Sequence, residues 1–163
     1  MANGLVGVRT ALQRDLPFLE ALEDDAEDYE PRWSRERIVA AMDCQTECVM
    51  TVIQTRGILK PSMGYYLYET RPGLIRLRRM LLTGPCDDAA AYVLQRLKGQ
   101  LTTTRTTLEA IISEMNWPLL TLYRNNGLRV SRVLPDHFGS RDGYVFQYVR
   151  KHVDRVGGQP VAS

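Results

Sequence analysis

Residues 116–128 read Asn-Trp-Pro-Leu-Leu-Thr-Leu-Tyr-Arg-Asn-Asn-Gly-Leu, and this stretch constrains the fold more than any other. Asn116 offers a side-chain acceptor to the free N–H groups of a helix start. Pro118 needs no donor in a first turn. Leu119, Leu122 and Tyr123 fall on one helical face. Gly127 suits the left-handed residue that closes a helix. An apolar, β-prone run stands on each side, at 108–112 and 128–134. A strand, a capped amphipathic helix and a second strand in succession call for a layered fold of sheet and helices.

The rest of the chain extends the pattern. Residues 5–9 alternate weakly and read as a short first strand. Leu16, Leu19, Ala21, Leu22 and Ala26 recur at helical spacing, with Pro17 tolerated in the first turn. Ser34 caps a second helix that runs to Met42. Residues 48–54, 63–68 and 74–82 read as three strands, joined by turns at 57–62 and at Arg71-Pro72-Gly73. The third strand breaks its alternation at Arg79, where a bulge restores the facing. Asp87 or Asp88 caps a helix to Gly99, whose apolar face is Val93, Leu94 and Leu97. A Thr-rich connector at 102–107 leads into the opening motif. Residues 135–143 form a loop, and 144–149 close the sheet. The expected fold is α/β (α+β): a mixed, mostly antiparallel central sheet of about seven strands flanked by about four helices. The expected organisation is one domain over residues 1–156, followed by a flexible tail at 157–163 that contains Gly and Pro.

Charge and composition narrow the function. Twenty-one basic and 19 acidic residues leave a net charge of +2. That is too small to imply a nucleic-acid or membrane partner. No apolar run reaches the roughly 18–20 residues that span a bilayer. Residues 1–8 have neither the basic residue nor the apolar stretch of a secretory signal. Three cysteines, an odd count, fit a reducing cytoplasm better than a disulfide scaffold. Cys44 and Cys48 lie four apart without a nearby His, so no metal site is expected. The first helix carries an acidic face: Glu20, Glu23, Asp24, Asp25, Glu27 and Asp28. Such a run is either a solvated face or an attractor for a cationic amine or basic peptide.

The Asn-x-x-Leu-x-x-Leu-Tyr-x-x-x-Gly-Leu segment, in this order of elements, resembles the GNAT family of N-acetyltransferases. Asn116, Leu119, Leu122, Tyr123 and Gly127 match the family pattern, and Leu128 stands where Phe is usual. The subgroup it is most similar to is the ribosomal-protein N-terminal acetyltransferase type. The supporting pieces are Leu-Arg-Arg at 77–79 and Arg-Asp-Gly-Tyr-Val-Phe at 141–146. The resemblance covers about residues 6–149.

The resemblance implies that acetyl-CoA, the co-substrate, lies in a splayed gap between the central strands. Backbone groups of Met80, Leu81 and Leu82 would pair with its pantetheine arm. The next helix start, at Asp88, Ala89 and Ala90, would face the pyrophosphate, where free N–H groups and the helix dipole favour phosphate. Asn116 would help to hold the cofactor or a bound water. Tyr123 would protonate the leaving thiolate; the other reading is that it only packs a helix on the sheet. The acceptor would be an amine-bearing small molecule or a protein N-terminus. Exposed sheet edges in this fold often pair into homodimers.

The chain departs from the family in two places. The pyrophosphate loop reads Pro85-Cys86-Asp87-Asp88-Ala89-Ala90. It is about two residues short and lacks the basic residue. Asp88 replaces the first glycine, and only Ala90 fits. A carboxylate about 5 Å from a phosphate charge costs about 3 kcal/mol at an effective dielectric of about 20. That is roughly 100-fold in affinity. The second departure is the base. The subgroup's glutamate position falls on Ile111. Glu109 shares its strand face and is the first substitute; His137 is the second, by residue type. Two functions stay open: an N-acetyltransferase, or a non-catalytic GNAT-fold protein that serves as a binding or assembly module.

Overall fold

A computed structural model describes residues 6–54, 61–83 and 87–151. Among these residues seven strands form one sheet: β1 (Val6–Thr10), β2 (Glu47–Gln54), β3 (Ser62–Arg71), β4 (Leu74–Leu82), β5 (Thr107–Ser113), β6 (Arg129–Leu134) and β7 (Gly143–Val149). Their order is β1-β2-β3-β4-β5-β7-β6. Only the β4–β5 pair is parallel; every other pair is antiparallel. Four α-helices cover the sheet: α1 (Leu16–Asp25), α2 (Arg35–Met42), α3 (Asp87–Gly99) and α4 (Trp117–Asn125). The mixed, mostly antiparallel sheet read from the sequence is therefore the one observed. The expectations for Leu5, for the turn at 57–60 and for the tail at 157–163 lie outside the described residues.

Local chemistry sets the helix ends. Ser34 Oγ accepts from Arg37 N at 3.2 Å. Asn116 Oδ1 accepts from Leu119 N at 3.4 Å. Gly127 has φ +83°, and its N–H donates to Arg124 O at 3.1 Å, which ends α4. Leu128, expected to begin a strand, instead plugs the core at 0% exposure, and β6 starts one residue later.

The two faces of the sheet bury separate cores. On one face, α3 and α4 pack Val93, Leu94, Leu97, Leu120 and Tyr123 against Ile75, Leu77 and Met80 of β4. On the other, α1 and α2 pack Leu16, Leu19, Ile38 and Ala41 against Val49, Tyr65 and Leu67. The parity slip in β4 is a real bulge. Leu67 pairs with Arg79 and Tyr68 with Leu77, so Arg78 is the extra residue. Met80 thereby stays with the α3–α4 core, and Arg79 turns towards α1.

The bulge also marks where the central strands part. The β4–β5 pairing runs from Leu74↔Thr107 to Leu77↔Ala110 and stops, although both strands continue. Beyond that point, among the described residues, the strand that pairs with β4 is β3, through Gly64↔Leu82, Tyr65↔Leu81 and Tyr66↔Met80. That pairing is tight enough to need a glycine: a Cβ at Gly64 would lie 2.3 Å from Leu81 O. The opposite edge of β4 is left open, facing the gap.

Candidate active site

The gap opens into a cleft of about 350 Å³. β4 supplies Met80, Leu81 and Leu82, and β5 supplies Ala110, Ile111 and Ile112. Asn116, Leu119, Leu122 and Tyr123 come from the start and inner face of α4, Asp87 and Ala90 from α3, and Asp25, Ala26, Glu27, Tyr29 and Glu30 from the end of α1 and the connection after it. Most of the expected cofactor residues thus meet in one cleft. Asp88 and Ala89 do not line it: Asp88 is exposed and Ala89 is buried in the core. Pro85 and Cys86 lie outside the described residues.

Tyr123 is 2% exposed and meets Phe146 edge-on at 5.9 Å. Its ring is core, yet it also lines the cleft. Burial first, and the nearby Glu30 carboxylate second, raise its pKa well above the ordinary tyrosine value. The hydroxyl therefore keeps its proton at neutral pH. Among the described residues no protein acceptor takes that proton in a hydrogen bond, so it is free for a ligand.

Glu30 lies in the connection between α1 and α2. Its carboxylate accepts from Ser113 N at 3.3 Å and from Arg79 Nη1 at 3.4 Å. Burial raises its pKa, and this outweighs the opposing help of Ser113 N–H, Arg79 and the Asn116 amide. Glu30 also lines a second cavity of about 320 Å³, with Pro31, Trp33, Arg76, His137 and Phe138. It is the carboxylate common to both cavities, together with Leu77, Arg78 and Ile111. A carboxylate with a raised pKa, set between two openings, is suited to exchange protons.

A buried ion pair fixes this arrangement from below. Arg79 donates to Glu23 through Nε at 2.9 Å and Nη2 at 2.6 Å. Glu23 also takes the Tyr65 hydroxyl and, at 3.0 Å, Trp33 N. The Glu23 and Arg79 side chains are 3% and 6% exposed. Glu23 is therefore not part of a solvated acidic face; it turns inward and anchors α1 to β4. Asp24, Asp25, Glu27 and Asp28 are the exposed members, and the partly buried Glu20 pairs with Arg35 at 2.7 Å.

The structure takes Glu109 out of the site. Its side chain is on the α1–α2 side of β5 but lines neither cavity. It accepts from Arg76 Nε at 2.9 Å and Nη2 at 2.7 Å, and from Gln147 Nε2 at 2.9 Å. Burial opposes its ionisation, but Gln147 and Arg76 outweigh that and hold its pKa below the usual glutamate value. A carboxylate so neutralised is a poor proton acceptor. His137 does line the second cavity, edge-on to Phe138 at 4.8 Å. Glu30 was legible in the sequence only as the last of the early acids, just before Pro31.

No family model matches the chain, and no curated protein matches it. Solved structures do. Arabidopsis thaliana NAA60 in complex with a bisubstrate analogue has a TM-score of 0.73 at 14% identity, over 90% of this chain and 98% of that one. The ribosomal-protein-S18-alanine N-acetyltransferase from Escherichia coli has a TM-score of 0.73 at 12% identity, over 93% and 99%. Spermidine N-acetyltransferase from Vibrio cholerae, in complex with CoA and spermine, has a TM-score of 0.72 at 12% identity, over 90% and 96%. The chain thus has the GNAT N-acetyltransferase fold across nearly its whole length. At these identities the likeness establishes the fold, and a ribosomal-protein N-acetyltransferase is among the structures that share it.

Proposed function

We propose that this chain is an N-acetyltransferase that moves an acetyl group from acetyl-CoA to a primary amine. The observation that carries the proposal is the parting of β4 and β5 beside the bulge, with Tyr123 and Glu30 both lining the resulting cleft. The open edge of β4 at residues 80–82 offers backbone groups to an extended pantetheine arm. The amine nitrogen attacks the thioester carbonyl; a C–N bond forms and the C–S bond breaks. Glu30 takes the proton that the amine sheds, and Tyr123 gives its proton to the departing thiolate. The fold neighbours support this reading, since each is an N-acetyltransferase.

One feature favours the rival, non-catalytic reading. Asp87 begins α3 and lines the cleft, so a carboxylate stands where phosphate would approach. The proposal therefore includes a weakened hold on the nucleotide half of acetyl-CoA.

Glu30 gives the test its sign. A base works when deprotonated, and burial raises this one's pKa. kcat/KM should rise with pH along an acidic limb placed above the ordinary glutamate value, and then level off. Glu30→Gln should lower kcat/KM by about 100-fold and abolish that limb. A pH–rate profile of both proteins decides it: an unchanged limb in the variant removes Glu30 from the role.

A further inference from the structure

We infer that the second cavity seats the acceptor and selects a small amine that also carries a carboxylate, in preference to a polyamine or a peptide N-terminus. This rests on the reading of the first cavity as the acyl site.

Among the described residues, two arginines, Arg76 and Arg78, line this cavity together with one carboxylate, Glu30. Neither arginine is used up by its ion pair. Arg76 reaches one oxygen of Glu109 through Nε and Nη2, which leaves Nη1 without a partner among the described residues. Arg78 gives only Nη1 to Glu69, at 3.1 Å. The free guanidinium edges suit a carboxylate, which accepts forked N–H donors well. Glu30 lines the same cavity, and its carboxylate suits an amine. An α-amino acid carries both groups on one carbon.

The remaining wall is the His137 imidazole beside five apolar or aromatic residues, Pro31, Trp33, Leu77, Ile111 and Phe138. It suits a compact hydrophobic side chain. Near 320 Å³ the cavity is at the low end of ligand sites. Its two flanking connections are tied together, because Arg141 Nη1 donates to Asp28 O. The acids suited to a polycation are elsewhere: Asp25 and Glu27 line the first cavity and not the second.

The test is calorimetric titration of the full chain, without acetyl-CoA, using four probes: L-phenylalanine, L-phenylalaninamide, phenethylamine and spermidine. Phenylalanine should bind at least about ten-fold more tightly than each of the others, the loss expected when a charge-assisted pair goes unmade. Arg78→Gln should shrink the preference for phenylalanine over its amide to about two-fold. This variant gives up only a partly exposed ion pair and is expected to fold. Arg76→Gln paired with Glu109→Gln, which removes both charges together, should also shrink it. Amide or spermidine binding as tight as phenylalanine overturns the inference, as does no binding by any probe. Should acetyl-CoA fail to bind while the carboxylate preference holds, the transferase reading falls and the selectivity of this cavity stands.

Discussion

Tyr123→Phe is expected to lower kcat by about 100-fold and to leave acetyl-CoA affinity within about two-fold. The substitution removes one oxygen and keeps the ring that meets Phe146 edge-on. No protein acceptor loses a partner, since none among the described residues holds the hydroxyl. Stability should therefore change by less than about 1 kcal/mol, as for a near-isosteric core exchange. A purely structural Tyr123 would give the same stability and an unchanged kcat, so the two roles separate in a single variant. Because burial and the Glu30 charge raise the hydroxyl's pKa, its deprotonation should not limit the rate at mildly alkaline pH. Steady-state rates with a saturating amine, beside urea denaturation of both proteins, supply both readings.

Arg79→Met should destabilise the chain by about 3–5 kcal/mol, the usual cost of leaving one partner of a buried ion pair behind. Glu23 would stay buried with only the Tyr65 hydroxyl and Trp33 N–H to satisfy it. That is a large share of a typical total stability of about 5–15 kcal/mol. Adding Glu23→Gln should recover part of the loss, because the stranded charge is then gone. Where the variant remains folded, a second effect should follow. Arg79 favours the charged form of Glu30, so its loss should move the acidic limb of the rate profile to higher pH. Denaturant midpoints and the pH profile test the two effects; a loss under about 1 kcal/mol would mean that the pair is not structurally important.

Much of the architecture was legible because each element carries its own periodicity and its own stop. Asn116, Pro118 and Gly127 bound α4 as read, and the parity slip near Arg79 did mark a bulge. What the sequence concealed was the direction of charged side chains. Glu23 sits in an unbroken acidic run, and nothing local distinguishes it from its solvated neighbours. It is buried because the bulge turns Arg79 towards it from 56 positions away. Glu109 looked available because its partners, Arg76 and Gln147, come from neighbouring strands of the sheet. Glu30 gains its place only once α1, β4 and β5 are assembled. Pairings of this kind are non-local, and residue spacing does not report them.

Whether the cleft holds a thioester decides between a transferase and a non-catalytic relative. Titrating acetyl-CoA into the full chain while following thermal unfolding answers this. A saturable rise in stability is expected, reaching about 2.7 kcal/mol at about 100 times the dissociation constant. Tyr123→Phe should retain it, and Asp87→Asn should need less ligand to reach it. No stabilisation at millimolar acetyl-CoA would contradict the proposed activity and leave a GNAT fold without its donor.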